Sequence, residues 1–277
     1  MGEKIETKLF YFIFIILLIF TSCINNSNKT IETSDKYREK NLINSIDIEL
    51  NKGNIQILGW SQNFIEINTK KILYSGLNND LSFITTDINR KDYRMVIKTK
   101  IPPSIDGDID LKIFVPYNLS FISINCSNGK ININDFLGDL SIITVKTDMD
   151  INFHGSILKI DSYSSNVNLN IKNVDNVDVV IKNNNGNFVL LIDSLGGESF
   201  LDLETLSGKI DVYMNKSISH TIQLINIDGV YNFQYELENQ KIIHSQHTMF
   251  SASYGKNEEL KIYTTNNKSE TNFYFIP

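Results

Sequence analysis

Three carboxylates stand within five residues at Asp106-Gly107-Asp108-Ile109-Asp110, a grouping that offers hard oxygen ligands to a cation such as calcium. The run lacks the later glutamate and the loop length of an EF-hand, so a solvated turn entering a strand is its expected role. His244 and His247 lie three apart, and on a strand that spacing sends them to opposite faces, where they cannot share one metal without a bulge. His154 and His220 stand alone among turns, without a ligand motif around them. There is no Gly-x-Ser-x-Gly elbow and no phosphate-binding loop. The expectation is therefore no enzyme: no catalytic residues, no metal site and no cofactor.

The two cysteines carry different messages. Cys126 alternates with Ile122 and Ile124, shares their face, and reads as a small buried hydrophobe rather than a reactive thiol. Cys23 ends an apolar run. Lys4 and Lys8 give a weakly basic start, Leu9 to Phe20 is uninterruptedly apolar, and Thr21, Ser22 and Cys23 follow. The run is shorter than the roughly 17 residues needed to span a bilayer. Phe20-Thr21-Ser22-Cys23 resembles the lipobox of bacterial lipoproteins, in the relaxed form found in spirochaetes, with cleavage between Ser22 and Cys23. The resemblance implies lipidation of the Cys23 thiol, with residues 1–22 removed as a signal peptide and formed as a signal helix. Several acyl chains on one residue exceed the two-signal threshold for stable anchoring. The implied location is the bacterial cell envelope, at the periplasmic face of the outer membrane or on the cell surface, with the membrane as a partner through lipid.

The 277-residue chain carries a net charge of -6, and its arginines are Arg38, Arg90 and Arg94 alone. No stripe of Lys and Arg forms, which excludes nucleic acid as an expected partner. With Cys23 committed to lipid, no intrachain disulfide can form, and stability must come from packing.

The elements that would position any site are strands. Residues 23–43 comprise the lipidated cysteine and a flexible tether, since Asn, Ser, Lys, Thr and Glu dominate and little can be buried. From Ser45 onward the period is two: Ile46-Ile48-Leu50, Ile55-Ile57, Ile65-Ile67, Tyr93-Met95-Ile97 and Ile109-Leu111-Ile113 alternate with mostly polar neighbours. Residues 44–114 read as an N-terminal β region, 115–235 as a repeat region and 236–277 as C-terminal strands or a cap. Turns followed by alternating strands recur, with matching positions at Ile131, Ile151, Val167, Phe188, Ile210 and Tyr231. A period near twenty is what a parallel β-solenoid needs, each coil returning the chain one strand further along the axis, right-handed by the crossover rule. An antiparallel β-meander or sandwich, with two strands and two turns per repeat, also fits.

Asn51 to Ile57 running through Trp60 into Ile65-Glu66-Ile67, the entry Val115-Pro116-Tyr117-Asn118-Leu119, and the Gly-turn repeats together resemble a bacterial family of adhesin-like β-strand-repeat domains of unknown function. The resemblance covers most of the mature chain. It implies a parallel, β-helix-like stack in an envelope protein and supplies no catalytic motif. The pattern is broken at Met149 and Ser165, where the turn glycine is missing. Tyr231, Phe233 and Tyr235 form an aromatic stripe on one strand face, suited either to a protein or glycan partner or to filling the end of the core. The leading functional expectation is a non-enzymatic, lipid-anchored envelope protein that binds or adheres through a repetitive β surface. A polysaccharide-active β-helix enzyme and an envelope-stress or signalling accessory are the alternatives.

Overall fold

Alternation of β-branched and polar residues makes the described residues all-β, one 3-10 turn aside. The computed structural model describes residues 30–74, 78–172, 174–226, 228–236, 238–244, 248–255 and 260–276. Its first strands are β1 (Ile31–Glu39), β2 (Ser45–Trp60), β3 (Ile65–Leu73), β4 (Thr85–Lys91), β5 (Arg94–Lys100), β6 (Gly107–Pro116), β7 (Phe121–Phe136), β8 (Asp139–Phe153), β9 (Ile157–Ser164) and β10 (Val167–Ile171). Then come β11 (Val174–Asp175), β12 (Asp178–Ile192), β13 (Leu195–Gly196), β14 (Ser199–Asn215), β15 (His220–Asn226), β16 (Val230–Phe233), β17 (Glu238–His244), β18 (Thr248–Tyr254), β19 (Leu260–Asn266) and β20 (Ser269–Ile276). A 3-10 turn covers Asn78–Phe83.

The longest strands turn a corner midway. In β7 the buried side chains are Ile122, Ile124 and Cys126, then Ile131 and Ile133, so the inward parity flips between Cys126 and Ile131. Gly129 sits at that flip with φ +148°, a conformation open to glycine and costly for other residues. Space forbids a side chain as well: a Cβ on Gly129 would fall 1.6 Å from the Gly53 carbonyl oxygen. The same parity flip in β2, β8, β12 and β14 gives each of these strands two halves, so that one continuous 18-stranded sheet folds into two walls, the first and second sheets below, around a single shared core, with β11 and β13 pairing separately.

Consecutive long strands pair in parallel. Ile122 lies opposite Leu140, Leu140 opposite Leu158, Leu158 opposite Val179, and Val179 opposite Leu201, which are intervals of 18, 18, 21 and 22 residues. In the second sheet Ile133, Ile151, Leu169, Leu190 and Val212 make the matching inward row. Antiparallel pairs close both ends: β1 with β3, β3 with β6 and β4 with β5 at one, and β18 with both β15 and β17 at the other.

Four expectations are corrected by these registers. Ile131 lies opposite Met149, not Ile151, so the second repeat is displaced by two residues. A two-residue slip leaves every side chain on its original face, so alternation alone cannot detect it. The residue matching Gly129 is therefore Thr147, and Met149 belongs to the inward row. At this corner hydroxyls take over: Thr147 Oγ1 donates to the Cys126 carbonyl at 3.4 Å, and the Thr147 N–H donates to Ser165 Oγ at 3.2 Å.

Tyr231 is not the next row after Ile210. Thr271 of β20 stands between them, so the C-terminal strands lie within the stack rather than beyond it. At the other end β2 lies between β7 on one side and β5 and β6 on the other, and the run Ile65-Glu66-Ile67 pairs with β1 and β6 rather than with β2.

Residues 31–39, expected within the tether, form β1. Its outer side is exposed, so no period-two signal marks it, and its attachment comes from β3 instead. Lys36 Nζ and Arg38 Nε reach the buried Glu66 carboxylate at 2.6 and 2.8 Å, and these contacts, Lys36 first, hold that carboxyl down to about 2.

Candidate functional site

On the outer face of the second sheet, in-register stacking places like residues above one another. Asn134 Nδ2 donates to Asn132, Asn152 Nδ2 to Asn134 Oδ1 at 2.5 Å, and Asn170 Nδ2 to Asn152 Oδ1 at 3.0 Å. Asn166 and Asn168 donate to Asp148 and Asp150 at 3.0 and 3.1 Å, and further along Asn272 donates to Asp211 and Asn232 to Asn272, both at 2.8 Å. An amide that donates to one neighbour and accepts from the next spends its hydrogen bonds within the protein. These ladders fix the face, and the buried Oδ1 of Asn170, which has no partner, ends the first of them.

The outer face of the first sheet is different near its far end. Parallel register sets Asp202 of β14, Tyr263 of β19 and Gln223 of β15 side by side, and Ser251 of β18 continues the row. Phe200 stands two residues before Asp202, and its ring centroid lies 5.0 Å from that of Tyr263 with planes 40° apart. Glu204, Thr265 and Ile225 form the row on the other side. Phe200, Asp202, Gln223, Ile225, Ser251 and Tyr263 help line a cleft of about 390 Å³. Burial pushes the Asp202 carboxyl up from its ordinary value, with Lys182 opposing the shift. Nothing in sequence order groups these residues, because β19 reaches its place between β14 and β15 only after the chain has passed both. The readable signals are Phe200 and Tyr263, aromatics at positions where alternation with Leu201 and Leu203, and with Leu260 and Ile262, calls for a polar residue.

No family model matches this chain, and no curated protein matches it. Among solved structures it is similar to a candidate cell-adhesion protein from Clostridium sporogenes, at 16% identity over 90% of this chain and 100% of that one, with a TM-score of 0.38. It is similar also to candidate adhesins from Bacteroides fragilis (15% identity, 89% and 98% of the two chains, TM-score 0.41) and Parabacteroides merdae (9% identity, 88% and 97%, TM-score 0.40).

The residues singled out in the sequence are scattered. Ser22 and Cys23 lie outside the described residues, as does His247; His244 ends β17. Asp106 and Asp108 meet at the Lys52 ammonium, and Asp110 is held apart from them by Asn54. Lys52 Nζ lies 3.5 Å from Asp106 and 3.0 Å from Asp108, Tyr74 donates its hydroxyl to Asp108 at 2.6 Å, and Asn54 donates to Asp110 at 2.8 Å. Among the described residues no His, Cys, Asp and Glu group could hold a metal ion. Cys126 is buried, and burial pushes its thiol up. The Nδ1 atom of His154 lies 3.2 Å from the Lys172 carbonyl.

Tyr231, Phe233 and Tyr235 are half-buried at the end of the core. Phe233 stacks on Phe273 at 5.0 Å and Tyr235 on Phe275 at 3.9 Å. His220 completes this cluster, fully buried and stacked on Tyr254 at 5.3 Å. The Ile218 carbonyl, 3.0 Å from Nδ1, can only accept, so Nδ1 carries the proton; Nε2 then accepts from the Tyr235 hydroxyl at 2.8 Å. Desolvation holds the His220 pKa below its ordinary value near 6.5, against a smaller opposing contribution from the Ile218 carbonyl. Between the two pKa values the unfolded chain takes up a proton that the fold refuses. The neutral ring's contribution is therefore complete above about pH 6.5 and is lost as pH falls toward the folded value. Melting curves from pH 8 to pH 5 should show the midpoint falling on the acid side, with a visibly shallower fall in His220→Phe; parallel profiles for the two proteins would remove His220 as the cause.

Proposed function

We propose that this chain is a non-enzymatic, lipid-anchored protein of the bacterial cell envelope, wound as a β-solenoid whose outer faces bind a partner in the manner of an adhesin. Parallel rows at intervals of 18 to 22 residues support the winding. The leader ending in Ser22-Cys23 supports the anchor. The observation that carries the binding reading is a group of exposed apolar side chains where the first sheet turns its corner, interrupted by Asn184 of β12 between Tyr163 and Leu206. Val145 of β8, Tyr163 of β9 and Leu206 of β14 are 55%, 58% and 47% exposed, and Ile143, at 54%, stands beside Val145. Apolar groups held out to water on strands paired at both sides are a standing cost, and a partner that covers them removes it.

Cells grown with radiolabelled palmitate should incorporate label into the wild-type protein and not into Cys23→Ala, which should leave the membrane fraction. In the same strains, beads coated with the protein should adhere to bacterial or host surfaces. The double variant Val145→Ser, Tyr163→Ser should adhere several-fold less at an unchanged melting temperature. An unlabelled, freely released wild-type protein refutes the anchor, and equal adhesion by the double variant refutes the face.

A further inference from the structure

We infer that the cleft around Tyr263 is a saccharide-binding site, selective for a neutral pyranose of one or two rings. The inference rests on the binding reading above and names the ligand chemistry of one part of that surface. The strands beneath the cleft leave a ligand only side chains to contact. β14 is paired with β12 and β19, β19 with β14 and β15, β15 with β19 and β18, and β18 with β15 and β17. With the backbone donors and acceptors of all four strands engaged, a peptide has no edge to extend.

What the side chains offer is an alternation of flat apolar and planar polar groups. Asp202, Tyr263, Gln223 and Ser251 stand one strand spacing apart, roughly 4.8 Å from each to the next. Phe200 widens the aromatic floor beside Tyr263, and Thr265 and Ile225 border the next row. A pyranose presents an apolar C–H face bounded by a belt of hydroxyls. Its face fits the Tyr263 ring, while Asp202 accepts, Gln223 both donates and accepts, and Ser251 does the same on the far side. The volume of about 390 Å³ falls at the small end of ligand clefts, roughly 300 to 1,000 Å³.

Charge narrows the class. Asp202, Glu204 and Asp178 face outward from β12 and β14, while Lys182 is drawn to Glu204 at 3.2 Å and Lys261, opposite Phe200, is a second cation beside the cleft, so carboxylates stay in excess. A uronate or sialylated sugar would meet these carboxylates with a like charge.

Calorimetric titration of the full chain in a detergent without sugar headgroups tests the assignment with cellobiose, lactose, chitobiose and digalacturonate as probes. At least one neutral disaccharide should bind in roughly the millimolar range or tighter, and digalacturonate should not bind. Tyr263→Ala should weaken that binding about tenfold or more, Asp202→Asn should weaken it severalfold, and Tyr263→Phe should keep most of it, all at the wild-type melting temperature. The assignment is overturned if no neutral disaccharide binds at about 10 mM, if digalacturonate binds equally well, or if Tyr263→Ala and Asp202→Asn both bind as wild type. Bead adhesion separates the two readings. Adhesion without saccharide binding removes this ligand and leaves the binding face standing; saccharide binding without adhesion keeps the ligand and removes the adhesive role.

Discussion

Replacing Gly129 by alanine should destabilise the protein by at least about 3 kcal/mol and lower its melting midpoint by roughly 6 to 12 °C. Two independent costs combine at this position. The φ of +148° is one that L side chains rarely adopt, and the new Cβ would lie 1.6 Å from the Gly53 carbonyl oxygen. The obstacle is backbone of the adjoining strand, so no side-chain rotation relieves it. Gly53 cannot retreat either, because a Cβ built on Gly53 itself lies 1.9 Å from the Ile109 carbonyl oxygen, which shows how closely β6 is packed behind it. Relief would require separating β2 from β7, which are hydrogen-bonded from Ser45 opposite Phe121 to Leu58 opposite Asn134. Ser127→Ala, two residues earlier and exposed, is the matched control and should stay within about 0.5 kcal/mol of wild type. Thermal unfolding followed by circular dichroism reads both. Equal midpoints for the two variants would show that the corner can relax, and the close-packed stack of corners would have to be abandoned.

The strands themselves were legible in the sequence because burial on one face writes a period of two into the residues. Ile122-Ile124-Cys126 and Ile131-Ile133 are buried as the alternation requires. Glycine punctuation was legible for a related reason: Gly129, Gly186 and Gly208 sit where backbones touch and φ is positive. Register was not legible to better than two residues, since Ile151 and Met149 share a face and only the partner strand distinguishes them. β1 was invisible because its side chains are mostly exposed and it is held by backbone pairing to β3 and by ion pairs to Glu66, neither of which leaves a periodic trace.

Spatial order was the deepest omission, and the cleft depends on it. Asp202, Tyr263 and Gln223 become neighbours only because the chain runs through β14, then β15 and β16, and returns to lay β19 and β20 between them. Repeat counting assumes that the next unit in sequence is the next in space. That assumption holds from β7 through β14 and fails at both ends, where the chain adds a strand and later inserts another inside it. The two insertions also bring the antiparallel pairs that cover the ends of the stack, where unpaired strand edges would otherwise invite another chain.

The insertion of β20 has a measurable consequence at Phe273. β20 is the last of the described strands in chain order, and such a strand is ordinarily prone to fray. Phe273 is instead fully buried, paired with Val212 on one side and Phe233 on the other, with its ring stacked on Phe233 at 5.0 Å and 9°. Phe273→Ala should therefore cost roughly 3 to 5 kcal/mol, the cost of emptying a core aromatic site. Phe121→Ala, an exposed phenylalanine on β7, should fall within about 0.5 kcal/mol of wild type. Denaturant titration of both variants gives the comparison, and a cost below about 1 kcal/mol at Phe273 would show that β20 is a loosely held end. The effect should extend to ligand binding. β19 and β20 are joined through Asn267 and Lys268 and pair with successive halves of β14, so loosening one weakens the hold on the other. Tyr263 is fixed between Asp202 and Gln223 by β19 alone. A variant that releases the C-terminal strands should thus lose saccharide affinity at temperatures where the rest of the stack remains folded.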